Sequence, residues 1–316
     1  MKNERIENPV IVTAGANYLD IDAYACMVAL AELLQLKGEN GIAYSQAPCN
    51  YSVCSSLLGE GQVFRELPPD LCAEEASYII VDVSDPDFLK GSVPIDRVRE
   101  VYDHHVGFED YWQETIGSGT HIEFIGAAAT LIYKEWKKDN LQDKLSHKAA
   151  LLLIAAILDN TLNLTSTNTT AEDRAVFHEL CVYTGVGDEF RADYFSQVQE
   201  CIEADLQNAM FNDIKTVRNN VVLPTHVAQL CIWNADSILS KLSQIRGFFK
   251  HLPESWMINL IDLEHQCSYF ICDDQYHQNE IERVFDVHFE AGVAKSSISY
   301  LRKEIIKKTL SPNIGG

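Results

Sequence analysis

Short apolar runs alternate with helical patterns along the first half of the chain. The apolar runs are rich in valine and isoleucine and end at polar or glycine residues, as β-strands do; they lie at 9–13, 42–44, 77–83 and 98–102. Stretches with helical spacing begin near residues 20, 52, 125, 146 and 170. Because strands alternate with helices, we predict an α/β domain whose mostly parallel sheet carries helices on both faces.

The pattern changes after residues 185–189, where glycine and charged residues interrupt the helical spacing. Predicted strands then outnumber the helices that connect them; the strands lie at 214–217, 220–223, 227–233, 255–263 and 267–272, and the helices at 194–210, 237–249 and 279–286. This balance indicates a smaller α+β domain with a mixed or antiparallel sheet. Since 316 residues is long for one domain, we predict two, at 1–187 and 193–316.

Composition and charge narrow the classes of function. The formal net charge is −21, which argues against broad electrostatic binding to a nucleic acid duplex or an anionic membrane. The N-terminal residues contain no apolar signal segment, and the nine cysteines include no CxxC pair. We therefore expect a cytoplasmic protein, monomer or homodimer, with reduced cysteines.

Acidic and histidine side chains directly follow three of the predicted strands. They are Asp20, Asp22, Asp82, Asp103, His104 and His105. Ligands of open α/β sheets bind beyond the carboxyl ends of the strands, and a parallel sheet places these ends along one edge. We therefore expect the six side chains to lie close together.

Each of these residues also has a structural explanation when it is taken alone. Acids before a helix act as caps, Asp82 suits a turn, and the two histidines could form a hydrogen-bonded pair. Asp159 follows ten apolar residues and could be a cap or a hydrogen-bonded core residue. Together they favour a shared metal centre. Carboxylates with an imidazole suit Mn²⁺ or Mg²⁺, and also Co²⁺, and two such ions can activate water and bind a phosphoryl group.

Four short motifs resemble the signature motifs of the DHH phosphoesterase superfamily. They are Gly15-x-x-x-x-Asp20-x-Asp22, Val81-Asp82, Asp103-His104-His105 and the helix end at Asp159. In the second half, the surroundings of Lys215 and the sequence Leu301-Arg302-Lys303-Glu304 resemble the domain called DHHA2. That branch includes family II inorganic pyrophosphatases, exopolyphosphatases and prune-like proteins. No GGGH-type motif of the other branch is present.

The resemblance implies roles for individual residues. Asp82 would bridge two metal ions, Asp20 would bind one of them, and Asp22, His104 and Asp159 would bind the other. His105 would contact the substrate phosphate and act as an acid toward the leaving group, so that His105 and Asp82 are the catalytic residues. Lys215, Arg302 and Lys303 would neutralise phosphates across a cleft between the two domains.

The resemblance further implies a hydrolase of phosphoanhydride bonds, acting on pyrophosphate or short-chain polyphosphate with one or two Mn²⁺ or Mg²⁺ ions. Ala16 stands where the pyrophosphatase branch has a histidine ligand, so one ion should bind more weakly. Two alternatives stay open. One is a nucleotide-directed phosphodiesterase, with base-stacking aromatic residues sought at Trp256, Tyr269 and Tyr276. The other is a binding or regulatory protein that has lost efficient turnover.

Overall fold

The computed structural model describes residues 8–15, 18–54, 57 and 76–310, and the chain forms two compact units, Met1–Asp188 and Glu189–Gly316. Ala16 and residues 55, 56 and 58 of the predicted helix at 52–58 lie outside the described residues. Each unit contains its own sheet. None of the helices in the described part of the chain is long and apolar enough to cross a membrane.

A parallel five-stranded sheet forms the centre of the first unit. Its strands are β1 (Val10–Thr13), β2 (Gly41–Ala43), β3 (Ser77–Val81), β4 (Val98–Asp103) and β5 (Thr120–Ile122), in the spatial order β2-β1-β3-β4-β5. All four neighbouring pairs are parallel. Strands β1 and β3 are buried almost along their whole length, which explains their continuous apolar sequences.

Helices α1 to α6 complete the first unit. They are α1 (Ile21–Leu36), α2 (Pro86–Leu89), α3 (Glu109–Ile116), α4 (Ala128–Lys138), α5 (His147–Asn160) and α6 (Ala171–Thr184). Helix α1 packs extensively against α5, and both are buried on most of their surface. The side chain of Asp20 caps α1 by accepting a hydrogen bond from Ala23 N at 3.0 Å. The cap holds this acid at the carboxyl edge of the sheet.

The second unit has a mixed six-stranded sheet. Its strands are β6 (Lys215–Thr216), β7 (His226–Ile232), β8 (Trp256–Asp262), β9 (Cys267–Ile271), β10 (Phe289–Glu290) and β11 (Val293–Ser296), in the order β10-β11-β9-β8-β7-β6. Only the pair β7–β8 is parallel among these strands. The helices are α7 (Glu189–Ala204), α8 (Leu206–Asn212), α9 (Asp236–Leu239), α10 (Leu242–Phe249), α11 (Gln275–Phe285) and α12 (Arg302–Leu310). The predicted fold class is confirmed for both units.

One predicted strand, at 220–223, is wrong. The side chain of Asn220 accepts hydrogen bonds from Val222 N and Leu223 N, both at 2.9 Å, and so closes a turn. Both apolar residues are buried in the core beside β7, which accounts for the misleading hydrophobic run. The predicted helices at 194–210 and 237–249 are each two shorter helices.

A polar network links α7 to α9 and α10 in the second unit. The carboxylate of Glu203 accepts hydrogen bonds from Ser237 Oγ and Lys241 Nζ, both at 2.5 Å. Desolvation opposes ionisation, but these hydrogen bonds outweigh it and lower the pKa of Glu203 to about 2. Glu203 is therefore ionised at neutral pH.

Candidate metal centre

The carboxyl ends of β3 and β4 bring four candidate ligands together. Asp82 follows β3, Asp103 ends β4, and His104 and His105 follow it. One ligand atom from each of these residues lies within 4.8 Å of the others. Parallel pairing of the two strands produces this convergence, because it places both carboxyl ends at one edge of the sheet.

His104 presents one ring nitrogen to the acidic group. Its Nδ1 lies 3.2 Å from the carbonyl oxygen of Ile125, which can only accept, so Nδ1 carries the proton. Its Nε2 then has a lone pair and lies 3.3 Å from Asp82 Oδ1 and 3.9 Å from Asp22 Oδ2. A backbone carbonyl that fixes the tautomer and orients the ring is a common feature of histidine metal ligands.

Asp82 is buried in an unusual backbone conformation. Its φ is 58°, in the left-handed region that aspartate tolerates better than most residues. The side chain is 5% exposed, and among the described residues its Oδ1 has no hydrogen-bond partner. A buried carboxylate oxygen without a donor is costly, and a cation would satisfy it.

Asp22 is held by the first turn of helix α4. Its two oxygens accept hydrogen bonds from Ala128 N and Ala129 N, both at 2.8 Å. Burial and then the charge of Asp20 nevertheless raise its pKa to about 8. The helix terminus orients the carboxylate without fully compensating its charge.

The acidic residues destabilise one another's charged forms. Burial raises the pKa of Asp82 well above its usual range, and the charges of Asp20, Asp22 and Asp103 raise it further. Crowded carboxylates of this kind favour a bound cation, which stabilises the ionised form of each. The donor set of buried carboxylates and one neutral imidazole fits a hard or borderline divalent metal.

His105 is the exposed member of the cluster, with a side chain that is 62% exposed. Asp103 Oδ1 accepts hydrogen bonds from its Nδ1 at 2.8 Å and from its backbone N at 3.0 Å. Desolvation opposes the charged form of each partner, yet the pairing lowers the pKa of Asp103 and raises that of His105. Asp103 therefore orients a histidine that can carry a proton.

The structure does not place every predicted site residue in this cluster. Asp159 lies in the last turn of α5, and its role as a ligand stays a prediction. Lys215, Arg302 and Lys303 belong to the second unit. Desolvation lowers the pKa of Lys215, and the positive charges of Arg302 and Lys303 lower it further. Lys215 and Lys303 are exposed. Their predicted contact with phosphate, in a cleft between the domains, stays a prediction.

Arg302 has a well-defined structural partner. Its Nη1 and Nη2 form a bidentate pair with the two carboxylate oxygens of Asp213, each at 2.9 Å. Nη1 also donates to the carbonyl oxygens of Asp213 and Val227. The side chain is only 8% exposed, so the guanidinium connects α12 to the start of β6 and to β7.

A pocket of about 340 Å³ lies beside the acidic cluster, entirely within the first unit. Its lining includes Asp20, Asp82, Asp103 and His105 near the cluster, the apolar or aromatic residues Tyr18, Val83, Phe88, Val106 and Phe108, and the polar residues Ser84 and Asp85. Trp256, Tyr269 and Tyr276 lie in the second unit instead. No sequence pattern indicated the pocket residues Phe88 and Phe108, because an isolated Phe in a loop or short helix has no distinguishing pattern.

Comparison with solved structures identifies the fold. A Methanococcus jannaschii protein assigned to the family II inorganic pyrophosphatases matches with a TM-score of 0.63 and 18% identity, over 96% of this chain and 100% of its own. This chain has the same fold as that protein. A second match, an exopolyphosphatase-related protein of Bacteroides fragilis, has a TM-score of 0.50 and 12% identity, over 95% of this chain and 90% of its own. The predicted two-domain fold is thereby confirmed.

Sequence comparison gives a match over a shorter part of the chain. A Lactobacillus acidophilus protein named as a probable manganese-dependent inorganic pyrophosphatase is 23% identical over 167 residues. The match spans 53% of this chain and about half, 52%, of the relative. No family model matches the chain.

Proposed function

We propose that this protein is a metal-dependent hydrolase of phosphoanhydride bonds, with pyrophosphate or short-chain polyphosphate as substrate. The observation that carries the proposal is the buried Asp82 Oδ1, which lacks a donor among the described residues and lies 3.3 Å from His104 Nε2. The shared fold and the pyrophosphatase-named relatives support the same class of chemistry. A cytoplasmic location and the state of assembly stay predictions.

Five residues would hold the metal: Asp20, Asp22, Asp82, His104 and Asp159. The ligand chemistry suits Mn²⁺ or Mg²⁺, with Co²⁺ as a further candidate, as one or two ions. A bound divalent ion lowers the pKa of coordinated water toward neutrality and polarises phosphoryl oxygens. Asp82 is our candidate for the residue shared between two ions.

His105 would act on the leaving group. Asp103 fixes its ring and favours its protonated form, so the exposed imidazolium can bind a phosphate oxygen and give a proton to it. Lys215 and Lys303 would add positive charge around the phosphates. Arg302 would contribute mainly by holding the segment that contains Lys215, because Asp213 already binds its guanidinium.

Steady-state hydrolysis of pyrophosphate and tripolyphosphate with Mn²⁺, Mg²⁺ and Co²⁺ tests this proposal. For His105→Gln we expect kcat to fall by about 10²–10⁴-fold, the usual contribution of a general acid, with Mn²⁺ still bound in calorimetry. His288→Gln is the matched control, since His288 is an exposed histidine of the second unit. Absence of turnover for every substrate and metal would leave the binding or regulatory alternative as the better explanation.

A further inference from the structure

The pocket beside the acidic cluster has an apolar side that a purely inorganic substrate does not use. Phe88 and Val106 line it and are 51% and 55% exposed. We infer that this side receives a planar organic ring attached to the phosphates, so that the phosphoanhydride substrates of the site include nucleoside diphosphates. The inference rests on the proposed function, since it specifies the substrate of that same site.

One wall of the pocket is held in place by a short, well-anchored helix. Asp85 caps α2 by accepting a hydrogen bond from Asp87 N at 2.9 Å, and Pro86 begins the helix. Leu89 at its end is fully buried in the apolar cluster below β3 and β4. Phe88 is therefore presented on a fixed backbone although about half of its surface is exposed.

Another part of the lining comes from the segment after the two histidines. Phe108 lines the pocket and packs partly against the same apolar cluster. The indole of Trp112 donates a hydrogen bond to Ser84 O at 2.6 Å, and Ser84 Oγ donates one to His105 O at 3.0 Å. These bonds tie the loop after β3 to the loop after β4, so the two linings are connected before any ligand binds.

The acidic side and the apolar side of the pocket differ in the same way as the diphosphate and the base of a nucleotide. The cation-binding carboxylates and His105 suit a diphosphate, whereas exposed aromatic rings gain contact area only from a carbon-rich group. Stacking of a base on an aromatic side chain is favourable for any base, because every base has a π-face. A pocket of about 340 Å³ is within the usual size range for small-molecule sites.

Binding of two non-hydrolysable probes in the presence of Mn²⁺ tests the inference. The probes are adenosine α,β-methylene diphosphate and methylenediphosphonate, which differ only by the nucleoside. We expect the nucleotide to bind more tightly to the unchanged protein, and Phe88→Ala to reduce its affinity relative to methylenediphosphonate about tenfold. Phe88→Trp should restore the preference, since it keeps a stacking surface. Phe124→Ala is the matched control, because Phe124 is 70% exposed and does not line the pocket.

Equal affinity of the unchanged protein for both probes, or equal effects of Phe88→Ala and Phe124→Ala, would overturn the inference. Failure of the nucleotide probe to bind with Mn²⁺ would overturn it too. The proposed function is judged separately by hydrolysis of pyrophosphate. A protein that hydrolyses pyrophosphate and shows no nucleotide preference refutes only the substrate class.

Discussion

Replacing Asp82 by Asn should make the metal-free protein more stable while weakening its metal binding. The buried Asp82 carboxylate lies among other acids, and its Oδ1 lacks a donor among the described residues. An amide has similar shape, carries no charge and can donate to neighbouring carboxylates such as Asp20 or Asp22. Asparagine also tolerates the positive φ of 58° at this position.

The size of the effect follows from the environment of the carboxylate. An unsatisfied buried polar group costs about 1–3 kcal/mol, and removal of like-charge repulsion adds to the gain. We therefore expect Asp82→Asn to stabilise the metal-free first unit by about 1–3 kcal/mol. For a domain of this size, each kcal/mol raises Tm by about 2–4 °C. In Mn²⁺ the order should reverse, because only the unchanged protein gains the full binding free energy.

The assay is urea unfolding after chelation and again with saturating Mn²⁺, together with calorimetric titration of Mn²⁺. Asp87→Asn serves as the control, because the Asp87 side chain is exposed and its ion pair with Lys90 lies at the surface. We expect it to change stability by less than about 0.5 kcal/mol. If Asp82→Asn destabilises the chelated protein and binds Mn²⁺ as the unchanged protein does, the reasoning from buried, crowded charge is refuted.

Further predictions concern titration, positioning and the second unit. Burial raises the folded-state pKa of Asp22 from 3.8 to about 8. The stability of the metal-free protein, measured by urea unfolding, should therefore be highest near pH 4 and fall as pH rises toward 8, and a flat profile would contradict this. Asp103→Asn should lower kcat about 10–100-fold, with Mn²⁺ affinity less affected, because it replaces the charged acceptor that orients His105 and favours its protonated form by a neutral amide; equal losses in both would contradict the positioning role. Arg302→Met should destabilise the second unit by about 1.5–3 kcal/mol, since it removes the charge-assisted hydrogen bonds to Asp213, whose side chain is partly exposed, and an unfolding midpoint unchanged in urea would refute the structural role. Hydrogen bonding lowers the pKa of Glu203 from 4.5 to about 2. The ionised carboxylate should therefore contribute about 1 kcal/mol to the stability of the folded protein above pH 4.5, and this contribution should disappear toward pH 2. Glu203→Gln should thus destabilise the protein at pH 7 and leave its stability unchanged at pH 2.

The sequence predicted that Asp82 and His104 lie together, because the rule that ligands bind at the carboxyl ends of parallel strands requires only the positions of the strands. Asp82 follows Ile79-Ile80-Val81, and His104 follows a strand that contains Val98 and Val101; parallel pairing brings the ends of such strands to one edge. The missed strand Thr120–Ile122 has only three half-buried residues, so it carries no recognisable hydrophobic pattern.

Other features of the site depend on contacts between distant segments. The hydrogen bonds from Ala128 N and Ala129 N to Asp22 join residues more than 100 positions apart, and no sequence pattern indicates them. The same is true of Phe88 and Phe108, which line one pocket only because the loops after β3 and β4 fold next to each other. The bidentate partner of Arg302 also lies far away in sequence, 89 residues before it.

Anomalous diffraction at the manganese absorption edge, from crystals grown with Mn²⁺, tests the central claim most directly. Our account predicts a peak at the carboxyl edge of the first sheet, within direct bonding distance of Asp82 Oδ1 and His104 Nε2. A fully occupied peak elsewhere on the protein, or no peak beside Asp82 at saturating Mn²⁺, would contradict the assignment of this cluster as a metal centre.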